Sequence, residues 1–169
     1  KARNWLCLPG KGRCTVVDVA GKLRARAGEQ GKSGYLLGAK EEVVSALAQK
    51  LKAQYPQMEV RYKNGYGKDK DADFRDIEAF QPDLVLVALG VPAQEKLIAR
   101  HLGNFSKGVF IGVGGSFDVL SGSKRRAPAL FVKTNTEWLY RILREPSRLK
   151  RFYRNNVRFL GQVRREAKG

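Results

Sequence analysis

Immediately after Pro82-Asp83 the chain runs Leu84-Val85-Leu86-Val87-Ala88-Leu89, six apolar residues without a break. A strand wetted on one face alternates apolar and polar side chains. An unbroken apolar run means a strand covered on both faces, which is the condition of a parallel sheet between two helical layers. Val109-Phe110-Ile111-Gly112-Val113 repeats the signal, and Gly34-Tyr35-Leu36-Leu37-Gly38 is a shorter version ended by glycine. Met58-Glu59-Val60-Arg61-Tyr62 alternates as a half-buried strand would. Between these runs, Glu41 to Tyr55 has helical spacing, with Val43, Val44, Leu47 and Leu51 on one face and Pro56 as its stop. Asp76 to Phe80 reads as a short helix. Gln94 to Leu102 reads as another, with Leu97, Ile98 and His101 inward. Asn64-Gly65-Tyr66-Gly67 and the charged stretch from Lys68 to Asp73 read as turn. Strand starts near 34, 58, 84 and 109 recur at βαβ spacing. They predict an α/β fold: an open, mostly parallel sheet with flanking helices, Rossmann-like, with right-handed crossovers.

The 169 residues carry a net charge of +17 that is distributed unevenly. Residues 1–32 hold eight Lys/Arg against two acids, residues 33–120 hold eleven of each, and residues 121–169 hold fourteen against three. A neutral body with a basic C-terminal segment suggests a localised anionic partner, against the plainer reading of charge that only keeps the protein in solution. The expected division is a body over 1–133, atypical in 1–32, and a basic helical appendage over 134–169. In the appendage, Thr134 is expected to cap a helix with Glu137 at its third position, continuing through Trp138 to Arg144 until Glu145-Pro146. From Ser147 a second helix would set an apolar stripe (Leu149, Tyr153, Val157, Leu160, Val163) beside an arginine stripe (Arg148, Arg151, Arg154, Arg158). Such a helix can hold phosphates or lie on anionic lipid. No apolar window is long enough to span a bilayer, and Cys7, Cys14 and the single His101 fit no metal-ligand spacing. The expectation is a reduced, cytoplasmic protein with no bound metal.

In an open parallel sheet, ligands bind beyond the carboxyl ends of the strands. Those ends are Gly38-Ala39-Lys40, Gly90-Val91-Pro92-Ala93-Gln94-Glu95 and Gly112-Val113-Gly114-Gly115-Ser116-Phe117-Asp118. Glycine there lets a ligand approach the backbone, and the amides of the following helix suit a phosphate. Neither a dinucleotide fingerprint nor a phosphate-binding P-loop is present. Ordinary tight turns would use the same glycines, Gln94 and Glu95 serve equally as helix-start residues, and Asp118 would serve as a helix cap.

Four ordered motifs go further. Leu89-Gly90-Val91-Pro92-Ala93-Gln94-Glu95-Lys96 resembles an L-G-x-P-x-Q-E-K stretch. Gly112-Val113-Gly114-Gly115-Ser116-Phe117-Asp118, then Gly122 and Arg126-Ala127-Pro128, resembles a G-V-G-x-x-F-D…G…R-A-P block. Glu137-Trp138-Leu139-Tyr140-Arg141, then Glu145-Pro146, Arg148 and Arg151, resembles E-W-x-x-R…E-P-x-R-x-x-R. Gly65-Tyr66 and Pro82-Asp83 fall in the matching order. Together they resemble the WecG/TagA/CpsF glycosyltransferases. The resemblance implies an inverting transfer, with neither metal nor cofactor, of N-acetylmannosamine or a related N-acetylated sugar from a UDP donor. The acceptor it implies is N-acetylglucosamine on a polyprenyl diphosphate, in cell-wall or surface polysaccharide synthesis such as that of wall teichoic acid. It implies that Gln94 faces the sugar and that Arg141, Arg148 and Arg151 hold diphosphate charge. Gly38, Tyr66, Gly90, Glu95, Gly114, Phe117, Asp118 and Arg126 would bind substrate. Bidentate, permanently charged arginines suit that task. The implied place is the inner face of the cytoplasmic membrane, with an anionic lipid surface as partner, self-association left open and no nucleic acid expected.

The resemblance departs at the N-terminal side. Leu8-Pro9-Gly10-Lys11-Gly12 stands where the family has P-D-G-x-G with its catalytic aspartate, and Val19-Ala20-Gly21-Lys22-Leu23 only partly follows a V-x-G-x-D-L segment. The family's opening strand and helix have no counterpart upstream. The general base is therefore unassigned, and a non-catalytic UDP-sugar binder is the first alternative. A nucleic-acid module built on the basic tail, with Trp138, Tyr140, Phe152 and Tyr153 as stacking groups, is the second.

Overall fold

The computed structural model describes residues 15–124 together with 127, 128, 131, 134, 136–144 and 153; at 137, 138 and 141 it describes the backbone alone. The chain divides into two compact units, Lys1–Lys124 and Arg125–Gly169.

In the first unit four strands form one sheet, and every pairing is parallel. They are β1 (Gly34–Gly38), β2 (Val60–Lys63), β3 (Leu84–Ala88) and β4 (Val109–Gly112). Their order is β2-β1-β3-β4, with Gly34 opposite Val60 and Leu84, and Leu84 opposite Val109. The helices are α1 (Val16–Glu29), α2 (Glu41–Gln54), α3 (Lys70–Phe80), α4 (Ala93–His101) and α5 (Ser116–Ser121), with a 3₁₀ turn at Leu102–Asn104. The expected Rossmann-like arrangement is present.

The unbroken apolar strands follow from two cores. On one face Leu36, Leu84 and Leu86 pack with Val44, Leu47 and Leu51 of α2 and Phe117 and Leu120 of α5. On the other, Tyr35, Leu37, Val85 and Val87 pack with Phe74 and Ile77 of α3 and Leu97 of α4. Alternate residues of β1 and β3 thus enter opposite cores, and each strand must be apolar throughout. Tyr35 is the polar exception. Its hydroxyl donates to Asp76, and burial, with this carboxylate nearby, raises its pKa well above the ordinary phenol value.

Four elements differ from expectation. β4, expected to be covered on both faces, lies at an edge and is only partly buried, with Val109 exposed. The helix expected over Asp76–Phe80 begins at Lys70, because Asp69 caps it: its Oδ1 accepts from the Ala72 N–H at 2.9 Å. The polar Lys68–Asp73 stretch that reads as turn is mostly first helical turn. Asp73 in it is buried and paired with Lys63 (3.0 Å) and Lys70 (3.6 Å). Residues 16–29, part of the atypical segment, form a 14-residue helix whose N-cap Thr15 accepts from the Asp18 N–H. The strand expected from Met58 starts at Val60 and lies at an edge, so beyond Val60 its residues are exposed.

In the second unit, α6 spans Glu137–Arg144. Its bonding starts from the Thr136 carbonyl, which accepts from the Leu139 and Tyr140 amides at 3.0 and 3.2 Å. Thr136 therefore stands where Thr134 was expected as cap. The expected second helix, with its two stripes, lies outside the described residues apart from Tyr153.

Candidate functional site

β1 leads outward to β2 on one side, while β3 and β4 extend the sheet on the other. The connections leave the carboxyl ends of β1 and β3 in opposite directions and open a crevice there. Backbone fills its floor. A Cβ on Gly38, at φ +120°, would lie 2.4 Å from the Ala88 carbonyl oxygen, so only glycine lets the two strand ends approach this closely. The Ala39 N–H donates to that same Ala88 oxygen at 3.2 Å, and the Gly65 N–H donates to the Ala39 oxygen at 2.8 Å. These two bonds bring the Gly65-Tyr66 turn to the strand ends.

Above this floor lies a cleft of about 490 Å³, lined by Ala39, Lys40, Val43, Tyr66, Ala88, Gly90, Gly114, Gly115, Phe117, Asp118, Ser123 and Lys124. Five of the expected substrate-binding residues meet here: Tyr66, Gly90, Gly114, Phe117 and Asp118. Tyr66 is 72% exposed, so its ring is available to a ligand. Its loop is held from below: Asn64 Oδ1 accepts from the Tyr66 N–H at 3.0 Å, and Lys70 Nζ donates to the Gly65 oxygen at 2.7 Å. Phe117 is fully buried and forms part of the wall by packing into the core. Asp118 lies in the first turn of α5, whose N-cap is Gly115, so it does not cap that helix. It faces Lys124 Nζ at 3.8 Å. Lys40 and Lys124 are the basic groups of this lining.

Other expected residues stand elsewhere. Gly38 shapes the floor without lining the cleft. Glu95 is exposed on α4, where Oε1 accepts from Gln94 Nε2 at 2.8 Å. Gln94, expected to face a sugar, is 2% exposed and turned into the protein. Its Oε1 accepts from the Gly90 N–H and the Gly114 N–H, each at 3.1 Å, so both ends of its amide are engaged. Arg141 lies on α6 of the second unit. Arg126, Arg148 and Arg151 lie outside the described residues, as do Pro9 and Gly10. Sequence reasoning passed over Lys124 and Ser123 as site residues. Their signal was position, directly after the Gly122 that ends α5.

A second cavity, of about 210 Å³, opens at the amino edge between α1 and the starts of β3 and β4, lined by Leu23, Ala27, Leu84 and Val109 among others. It is smaller and largely apolar, and strand amino ends are not where such sheets bind ligands. Among the described residues no three His, Cys, Asp or Glu side chains stand together as a metal ion would require. None of their helices is long and apolar enough to cross a membrane.

An open parallel sheet with a glycine-floored cleft at its switch point defines an α/β domain of the Rossmann-like kind. Comparison with known proteins narrows the class: the chain belongs to the glycosyl transferase WecG/TagA/CpsF family, whose model matches residues 1–169. Its relatives include proteins named N-acetylglucosaminyldiphosphoundecaprenol N-acetyl-beta-D-mannosaminyltransferase. The one from Bacillus subtilis (strain 168) is 40% identical over 140 residues, 82% of this chain and 55% of the relative. That from Bacillus spizizenii (strain ATCC 23059 / NRRL B-14472 / W23) is 37% identical over 144 residues, 85% of this chain and 56% of the relative. That from Staphylococcus aureus (strain MW2) is 40% identical over 118 residues, 69% and 46% respectively. The chain spans about half the length of the curated relatives it matches.

Proposed function

We propose that the chain carries the donor-binding part of a glycosyltransferase. The enzyme moves N-acetylmannosamine, or a related N-acetylated sugar, from a UDP donor to N-acetylglucosamine on a polyprenyl diphosphate. The observation that carries this reading is the convergence of Tyr66, Gly90, Gly114, Phe117 and Asp118 on one cleft at the carboxyl edge of the sheet. The names of the relatives support the acceptor and the sugar.

In the proposed reaction the acceptor hydroxyl attacks the anomeric carbon as the bond to the UDP oxygen breaks, inverting that centre. A general base takes the hydroxyl proton, and UDP leaves with the bonding electron pair. Asp118, in the cleft, and Glu95, exposed on α4, are the carboxylates proposed as candidates for that base. Lys40 and Lys124 meet negative charge at the cleft, Arg126 is proposed to bind substrate, and Arg141, Arg148 and Arg151 are proposed to stabilise the departing diphosphate. The +11 charge of residues 121–169, from fourteen bases and three acids, is proposed to attach the protein peripherally to anionic lipid on the inner face of the cytoplasmic membrane.

The test has two arms. Isothermal titration of the 169-residue chain with UDP gives saturable heat with a dissociation constant below the millimolar range; no heat at millimolar UDP refutes the nucleotide site. Co-sedimentation with vesicles containing anionic lipid falls as salt rises, since screening shortens the field. Binding that is indifferent to both lipid charge and salt refutes the membrane assignment.

The non-catalytic alternative has one support, the absence of aspartate from Leu8-Pro9-Gly10-Lys11-Gly12. In that reading UDP binds and no sugar is transferred.

A further inference from the structure

We propose that Gln94 is a positioning residue that clips the two glycine loops of the cleft to each other, and that Gly112 is glycine to leave room for the clip. The proposal rests on the reading that this cleft holds the donor nucleotide.

The geometry is specific. Gln94 sits in the first turn of α4, which follows the cis Val91-Pro92 bond. Its side-chain oxygen reaches back to the Gly90 N–H and across to the Gly114 N–H, both at 3.1 Å. Gly90 belongs to the loop after β3 and Gly114 to the loop after β4, so one acceptor atom joins two separate ligand loops. The other end of the amide is fixed as well, because Nε2 donates to Glu95 Oε1 at 2.8 Å. That bond decides which way the amide points and keeps its oxygen toward the glycines.

Gly112 makes the fit possible. A Cβ there would lie 2.5 Å from Gln94 Nε2 and 2.9 Å from its Cδ. Gly112 is the last residue of β4 and has no left-handed backbone that would itself demand glycine. The space it leaves is filled by the Gln94 amide. Gly90 and Gly114, by contrast, have φ of +83° and +50° and no side chains to hold them. Each carries an amide that would point into the protein without a partner if Gln94 were removed, and such a group is costly to leave unsatisfied. The clip therefore fixes the spacing of two loops that both line the cleft, and it does so from behind, at 2% exposure and without lining the cleft itself.

A direct sugar contact and a loop clip predict different outcomes for UDP, which carries no sugar. Three variants test the clip: Gln94→Leu removes the acceptor, Gln94→Glu keeps an acceptor oxygen, and Gly112→Ala displaces the side chain without altering any lining residue. The first readout is amide hydrogen exchange by NMR on the unliganded 169-residue chain. The Gly90 and Gly114 amides exchange about tenfold faster or more, and together, in Gln94→Leu and in Gly112→Ala, while Gln94→Glu keeps both slow. The second is UDP titration, where Gln94→Leu and Gly112→Ala each weaken binding by about tenfold and the double variant is no weaker than either alone. If the two glycine amides exchange as in the parent chain in both lesions, the clip is refuted. If they are released while UDP affinity is unchanged, the clip does not position the ligand and the proposal also fails. Should Gln94→Leu not fold, Gly112→Ala decides alone. Failure of the parent chain to bind UDP refutes the nucleotide site and leaves the exchange experiment to judge the clip.

Discussion

At the amino edge of the sheet one carboxylate ties three strands together; at the carboxyl edge glycine-bearing turns surround a cleft. Asp83 accepts from the Ser33 N–H (3.0 Å) and hydroxyl (2.9 Å) in front of β1, and pairs with Lys107 (3.2 Å) in front of β4. Its own amide donates to the Ser33 carbonyl, and its carbonyl accepts from Val109. Side-chain chemistry fastens these strand starts to one another. At the other edge Gly38 and Gly65 bring backbone up to backbone, while Gly90 and Gly114 turn their loops at positive φ, leaving Tyr66, Asp118 and Lys124 to face the opening. The same four strands thus end in a fastened edge and an open one. The difference teaches where substitutions should cost stability and where they should cost binding.

The sharpest way to break the comparison is Gly38→Ala. It lies at the open edge, yet its Cβ would meet the Ala88 oxygen at 2.4 Å with φ at +120°. Neither backbone can yield without separating β1 from β3. The expected loss is about 3 kcal/mol or more, seen as a melting temperature lower by roughly 10 °C. A variant that melts within two degrees or so of the parent would show that the strand ends separate easily and that the floor is soft.

Asp83→Asn tests the fastened edge. The two Ser33 bonds and Lys107 hold the Asp83 carboxyl below the ordinary carboxylate range, the backbone bond from Ser33 contributing most. A carboxylate whose folded pKa is lowered contributes stability that is fully present above its unfolded pKa, about 3.9. That stability is lost as pH falls through the folded value. The variant should therefore be less stable than the parent by about 1–2 kcal/mol at pH 7, the scale of hydrogen bonds to a charged group. The gap should narrow as pH drops below about 4, while UDP affinity is unchanged because the cleft is at the opposite edge. Urea unfolding at several pH values measures it. A gap independent of pH would mean that the charge of Asp83 does not fasten this edge.

Much of this layout is legible in the sequence, for a physical reason. A strand covered on both faces must be apolar at every position, so β3 and the interior of β1 announce themselves. The cleft loops are readable because glycine at strand ends is local information. What the sequence hides depends on partners distant along the chain. Asp73 looks like a turn residue until Lys63 and Lys70 are seen to surround it. α1 buries only Ala20 and Gly28 completely, the latter against the Tyr55 ring, while Val17, Leu23 and Ala27 are partly buried, so its apolar stripe is short and rich in small residues. Gln94 is visible as a motif residue, but its bond to Gly114, twenty residues on, is a property of the fold.

The smallest expected effect on stability, and the most informative about the open edge, belongs to Asp118→Asn. Its carboxylate is partly exposed and its contact with Lys124 is long, 3.8 Å, so the ion pair contributes little, between 0 and about 1 kcal/mol. The melting temperature should move by no more than a few degrees. Binding should respond more. A carboxylate in a cleft proposed to hold a nucleoside diphosphate is repelled by the phosphates, and its favourable partner is a ribose hydroxyl, as for the acidic residue of dinucleotide-binding folds; in that orientation Glu95, not Asp118, is the candidate base. Replacing a charged acceptor by a neutral one costs on the order of 1 kcal/mol, so UDP binding should weaken about fivefold. Binding tightened by Asp118→Asn would put the carboxylate on the phosphate side of the cleft and turn the proposed orientation of the donor around. A large fall in melting temperature would make Asp118 a fastening residue like Asp83 and erase the contrast between the two edges.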